Sequence, residues 1–229
     1  DQLRLIDTAN IEQIVTIFSA VTDLKFMTNN SKHINILVSL LQHPIWQRQL
    51  TNLMVDGTSG IGSQLAGDLI TAINGLTSLQ MLAISWCNYA HVPDMSILAQ
   101  LKVVVFYSGD NLSTFLRSLE RYAADNADLK VHLISHDTEA LLTLSQPLRS
   151  RIVRYGLGEL RYTDYNDQVP LLCSQFRSLT SLSLKFIETT KVGQLFTDLA
   201  QLHQLIHLQL GVYSKGGEDD LSPLPARPR

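Results

Sequence analysis

A short apolar phrase, L-x-x-L-x-L, returns at nearly even intervals along this chain and constrains its fold more tightly than any other feature. It reads VTDLKF at 21–26, LTNLMV at 50–55, LQMLAI at 79–84, LKVVVF at 101–106, LTSLSL at 179–184 and LIHLQL at 205–210. Weaker copies, DLKVHL at 128–133 and IVRYGL at 152–157, fill the gap, and a partial copy, Leu3-Arg4-Leu5, precedes the series. Successive starts lie 29, 29, 22, 27, 24, 27 and 26 residues apart. Apolar residues two apart mark a strand with one buried face. An interval of about 20 to 29 residues leaves room for one strand and one return segment per unit.

The return segments carry the helical period. Asp110 or Asn111 can cap a helix whose Leu112, Phe115, Leu116, Leu119 and Tyr122 share a face, and Thr189 or Thr190 precedes Val192, Leu195, Phe196 and Leu199 in the same way. Ser31 leads into Ile34, Leu37, Val38 and Leu41 before Pro44, and Ser63 into Leu65, Leu69, Ile70 and Ile73 before a C-terminal Gly75. Asp7 or Thr8 leads into Ile11, Ile14, Val15 and Phe18. One strand–helix pair cannot bury its own apolar face, so the units must stack. The fold predicted is an α/β solenoid of about eight irregular strand–helix repeats over residues 1–213, a horseshoe arc with a parallel sheet on the concave side. Strands are narrower than helices, which curves the stack. Leucine supplies 39 of the 229 residues, whereas charged residues supply 17%, the balance expected of a long thin core. Residues 214–229, SKGGEDDLSPLPARPR, hold no period and read as a flexible tail.

Across residues 1–213 the phrase and its interval resemble the leucine-rich repeat superfamily. In that family the ninth position of each repeat is often Asn or Cys. Asn29 and Cys87 fit, while Thr58, Gly109, His136, Leu160, Ile187 and Tyr213 do not. The unequal repeat lengths and helical returns look most like the substrate-receiving repeat domain of F-box proteins, with the F-box itself not in this chain. That resemblance implies a protein partner held on the concave face, and a link to SCF ubiquitin ligase components through an F-box on the N-terminal side. A second reading is a regulatory repeat protein acting directly on an enzyme, of ribonuclease-inhibitor or GTPase-activating type.

Other function classes find little support in the residues. Eighteen Lys and Arg against 21 Asp and Glu leave a net charge of −3, so a nucleic-acid partner is not expected. No run approaches the ~20 apolar residues of a membrane span, and mean hydropathy is +0.07. The chain opens DQLRLID, which reads as part of a longer protein. Two cysteines, Cys87 and Cys173, in unlike contexts suggest a reducing compartment, cytoplasmic or nuclear. His132 with His136 and His203 with His207 have i, i+4 spacing, but His132 and His207 fall in strands, where that spacing does not place two ligands on one helix face. The stretch from Asp56 to Gly62 contains Gly60-x-Gly62 without the remainder of a phosphate-loop pattern and reads as a turn. No metal, cofactor or catalytic residue is assigned, and the chain is not expected to be an enzyme.

What remains is the strand face turned away from the helices. Alternation predicts Asp23, Lys25 and Met27 there, then Asn52, Met54 and Asp56, then Met81, Ala83, Ser85 and Trp86, then Val103, Val105 and Tyr107. Arg154, Gly156 and Gly158, Ser181, Ser183 and Lys185, and His207, Gln209 and Gly211 follow. Methionine and aromatic side chains are enriched at protein interfaces. The candidate contact residues are therefore Lys25, Met27, Met54, Asp56, Met81, Trp86 and Tyr107, all in the N-terminal half.

Overall fold

A computed structural model describes residues 11–28, 30–57, 62–86, 94–108, 112–135, 138–156, 168–186 and 192–212. Eight strands form one sheet: β1 (Asp23–Met27), β2 (Asn52–Asp56), β3 (Met81–Trp86), β4 (Val103–Ser108), β5 (Lys130–Ile134), β6 (Ile152–Gly156), β7 (Ser181–Phe186) and β8 (His207–Val212). Their order in the sheet is their order in the chain, and every pairing is parallel. Each connection therefore joins immediate neighbours. This is the solenoid-like alternation that the repeating phrase predicts.

The returns are helical. They comprise α1 (Ile11–Ile17), α2 (Ser31–Leu41), α3 (Pro44–Gln49), α4 (Ser63–Asn74), a 3₁₀ turn (Ser96–Ala99), α5 (Leu112–Tyr122), α6 (Thr138–Leu141), α7 (Gln146–Arg149), α8 (Gln168–Gln175) and α9 (Val192–Leu199). One local expectation is corrected and one holds. Asn30, one residue before Ser31, caps α2, its side-chain oxygen accepting from the Lys32 amide at 2.9 Å. Gly75 does close α4, but with right-handed φ of −79° rather than the left-handed conformation that would demand glycine. Gly57 is where glycine is required. At φ +81° a side chain is strained, and a Cβ would lie 2.5 Å from the Thr28 carbonyl oxygen.

Helices and strands share one continuous core, to which at least 26 of the 39 leucines contribute. That settles what the leucine excess is for. Within the phrase, the fourth and sixth positions face the helices: Leu53 and Val55, Leu82 and Ile84, Val104 and Phe106, and Leu182 and Leu184 are all buried. Burying each such side chain contributes roughly 1.5 to 3 kcal/mol before conformational entropy is charged against it. Phe106 stacks on Phe115 of α5 with ring centroids 3.9 Å apart. Burial thins at both ends. Leu24 is half-buried, whereas its counterpart Leu208 on the last strand is 42% exposed. Two helix-face assignments also fail at the ends, since Phe18 and Phe196 are exposed rather than packed.

Successive units are tied by a recurring polar joint. The carbonyl of Thr22 accepts from the amides of Thr51 and Asn52, that of Thr51 from Gln80 and Met81, that of Gln80 from Lys102 and Val103, and that of Thr180 from Ile206 and His207. Side chains in the turns before the strands extend the joint. Asn126 donates to the carbonyls of Leu98 and Leu101, and Gln100 to that of Leu76. The ninth-position residues, from Asn29 to Tyr213, lie outside the described residues.

The regular ladder breaks once. Ile152 pairs with Val131, but the next pairs are His132 with Arg154 and Leu133 with Tyr155, which makes Val153 an extra residue. Without that bulge Arg154 would oppose the buried Leu133. With it, Arg154 stays on the open face and Tyr155 enters the core, its hydroxyl donating to the Ser135 carbonyl at 3.1 Å. Tyr155 then pairs with Leu182. The sixth phrase position of β5 thus lines up with the fourth of β7. The phrase steps by two residues, about 7 Å, between the first five strands and the last three. An even step keeps every face pointing the same way.

Candidate functional site

The strand face away from the helices is organised in cross-strand rows. One row runs Lys25, Met54, Ala83, Val105, His132, Arg154, Ser181, His207 across all eight strands. Asp23, Asn52, Met81, Val103 and Lys130 lie in the row before it, and Ser85, Tyr107, Ile134, Gly156, Ser183 and Gln209 in the row after it. Neighbours within a row are about 4.8 Å apart, so a ligand of modest size touches several strands together.

The register pairs four of the seven candidate residues with one another and leaves Met81, Trp86 and Tyr107 beside other neighbours. Lys25 adjoins Met54, and Met27 adjoins Asp56. Met81 stands between Asn52 and Val103, while Tyr107 stands between Ser85 and Ile134. Met27 and Tyr107 are exposed, at 59% and 36%, and Lys25 is exposed too; Met54 and Met81 are half-buried by their neighbours on the face. Trp86 ends β3 opposite Ser108, and its side chain lies outside the described residues. Asp56 has a local duty. Its carboxylate accepts from the Gly57 amide at 2.7 Å and so closes the turn after β2.

Between these candidates lies an apolar stretch contributed by β2 to β5: Met54, Met81, Ala83, Val103, Val105 and Ile134, bordered by Tyr107. Most of these side chains are half-buried, and no helix covers them among the described residues. Asp23 stands at the first strand, its carboxyl held below the ordinary value by hydrogen bonds from Thr22 and then Asn52. No acidic residue follows on this face from β3 to β8 among the described residues.

The C-terminal half carries a polar groove of about 690 Å³ lined by His132, Arg154, Ser181, Ser183, His207 and Gln209, among others. Gly156 stands between Ile134 and Ser183 in the neighbouring row, where an added Cβ would only touch their side chains. Burial, followed by the positive charges of Arg154 and Lys130, holds His132 below its usual pKa of 6.5. Sequence reading named Arg154, Ser181, Ser183, His207 and Gln209 as facing this way but placed the contact surface elsewhere. It left out Lys130, His132 and Ile134, although the alternation of Val131 and Leu133 marks them. The weakness of the DLKVHL copy hid that signal.

Among the described residues no cluster of His, Cys, Asp or Glu could hold a metal ion. The paired histidines do not form ligand pairs on a helix: His132 and His207 are strand residues, and His136 lies outside the described residues. Cys173 is buried on α8, and its thiol is pushed up to about 11 by burial and by Asp198. It is poorly suited to nucleophilic chemistry. Of the glycine-bearing turn, residues 58–61 lie outside the described residues. No helix among the described residues is long and apolar enough to cross a membrane. Compared with protein-family models and with curated proteins, the chain matches none.

Proposed function

We propose that this chain is a leucine-rich repeat domain whose curved sheet binds a protein partner on its concave, helix-free face. The observation that carries the reading is the apolar stretch from Met54 to Ile134, built into paired strands and without a helix cover among the described residues. Apolar side chains grouped on an open face of a scaffold mark contact surfaces more often than scattered ones do. The phrase, its interval and the parallel order support the family assignment. Within that family, substrate reception for an SCF-type ubiquitin ligase accounts best for the unequal repeat lengths, from 22 to 29 residues.

A photo-crosslinking side chain at Tyr107 tests the surface, with the same group at exposed Arg117 of α5 as the comparison. The partner crosslinks from Tyr107 and not from Arg117; the reverse pattern sinks the reading. Tyr107→Ala weakens the partner complex while leaving the melting temperature nearly unchanged. The ligase assignment has its own test. Full-length protein co-purifies with the adaptor and cullin, whereas stoichiometric capture of an enzyme without them favours the regulatory reading.

A further inference from the structure

The open face separates its charges in a way that the chain's net charge of −3 does not foretell. Its acids, Asp23 and Asp56, lie on β1 and β2 with Lys25 beside them, so that end is of mixed charge. From β5 to β8 it presents Lys130, Arg154 and the imidazoles of His132 and His207, interleaved with the hydroxyls of Ser181 and Ser183. Arg154 is exposed and has no hydrogen bond or ion pair among the described residues. Nearby arginines are committed to the fold: Arg151 donates to the carbonyls of Ala123 and Ala124, Arg149 to those of Leu142 and Leu144, and Arg121 pairs with Asp94. The bulge at Val153 is what delivers Arg154 to the groove instead of the core.

We propose that the helix-free face takes an acidic polypeptide segment, seating an apolar side chain on Met81, Val103 and Val105 and a neighbouring carboxylate on Arg154 beside His132. The proposal rests on the partner-binding reading above and names the chemistry of that partner. Val105, His132 and Arg154 are consecutive in one row, so the apolar and cationic seats lie about 10 Å apart. An extended segment covers that distance in about three residues. Guanidinium accepts a carboxylate as a two-pronged pair, and the groove leaves that fork open. The crowding of positive charge around His132 is relieved when an anion arrives.

The test is selection of a phage-displayed random peptide library on the intact chain, followed by anisotropy titration of the enriched peptides. Enriched sequences carry an aliphatic or aromatic residue close to Asp or Glu, and their affinity falls with added salt. Arg154→Ala weakens them about tenfold, and Arg154→Glu turns the selection toward Lys and Arg. Peptides without acidic bias, or a change below about twofold in Arg154→Ala, overturn the charge assignment. If Tyr107→Ala and Val105→Asp still weaken those peptides in folded protein, the partner-binding face itself survives. If neither does, or if nothing is enriched, both readings fall. A concentration-dependent dimer that Arg154→Glu dissolves overturns the proposal in favour of a second copy as occupant.

Discussion

The first five strands and the last three are built from the same phrase and end up with different surfaces. From β1 to β5 the register advances without interruption, the fourth and sixth positions pack inward, and the open face is largely apolar at its centre. From β6 to β8 the phrase is displaced by one pleat, α6 and α7 are four residues each, and the open face is polar and cationic. Shared buried positions make both halves stack, while the intervening positions, which stacking leaves free, have diverged. A repeat constrains one face of its strand and leaves the other available for recognition.

The widest test of that contrast compares one phrase position in the two halves. Leu82→Ala on β3 should lower unfolding free energy by about 2 to 5 kcal/mol, measured by urea denaturation. Leu208→Ala on exposed β8 should cost less than about 1 kcal/mol. Equal losses would break the comparison, because they would mean that β8 is as well covered as β3. Next in size is the bulge between the halves. Tyr155→Phe removes a buried hydroxyl from the Ser135 carbonyl and should cost about 1 to 3 kcal/mol, with Tyr107→Phe, at an exposed site, near zero in the same assay.

Cys173 supplies a smaller, kinetic difference. In a Cys87→Ser background, native protein near pH 8 should resist thiol reagents that modify it promptly in urea, since its thiol titrates only at about 11. Prompt reaction without denaturant would show that the C-terminal half opens readily. The smallest effect concerns His132, whose folded pKa lies below the ordinary 6.5. Unfolded chains take up that proton more readily, so its contribution to stability is intact above pH 6.5 and declines as pH falls through the histidine range. His132→Gln should flatten that part of the melting-temperature profile, and a profile that does not change would show that neither burial nor the cations of β5 and β6 bear on this imidazole.

Much of the architecture was legible in residues alone. Leu53, Val55, Leu82 and Ile84 declare their direction by spacing, because a strand with one buried face needs apolar residues two apart and little else satisfies it. The helix faces of α2, α4 and α5 were equally plain. Phe18 and Phe196 carry the same pattern yet lie exposed, since periodicity reports which residues could be covered and not whether a neighbour arrives to cover them. On the open face, the apolar residues of β3 and β4 could be read one by one, but the adjacency of His132 and Arg154 could not.

By itself the sequence determined that strand and helix alternate, how many units stack, and which face of each strand is buried, because these depend on local period and on the need to hide leucine. Tertiary structure decided how the units align. A bulge at Val153 carries no mark in composition, since it is a property of two strands compared and not of either alone. Yet that extra residue keeps Arg154 out of the core, seats Tyr155 within it, and brings Arg154 beside His132 in a groove lined by β5 to β8.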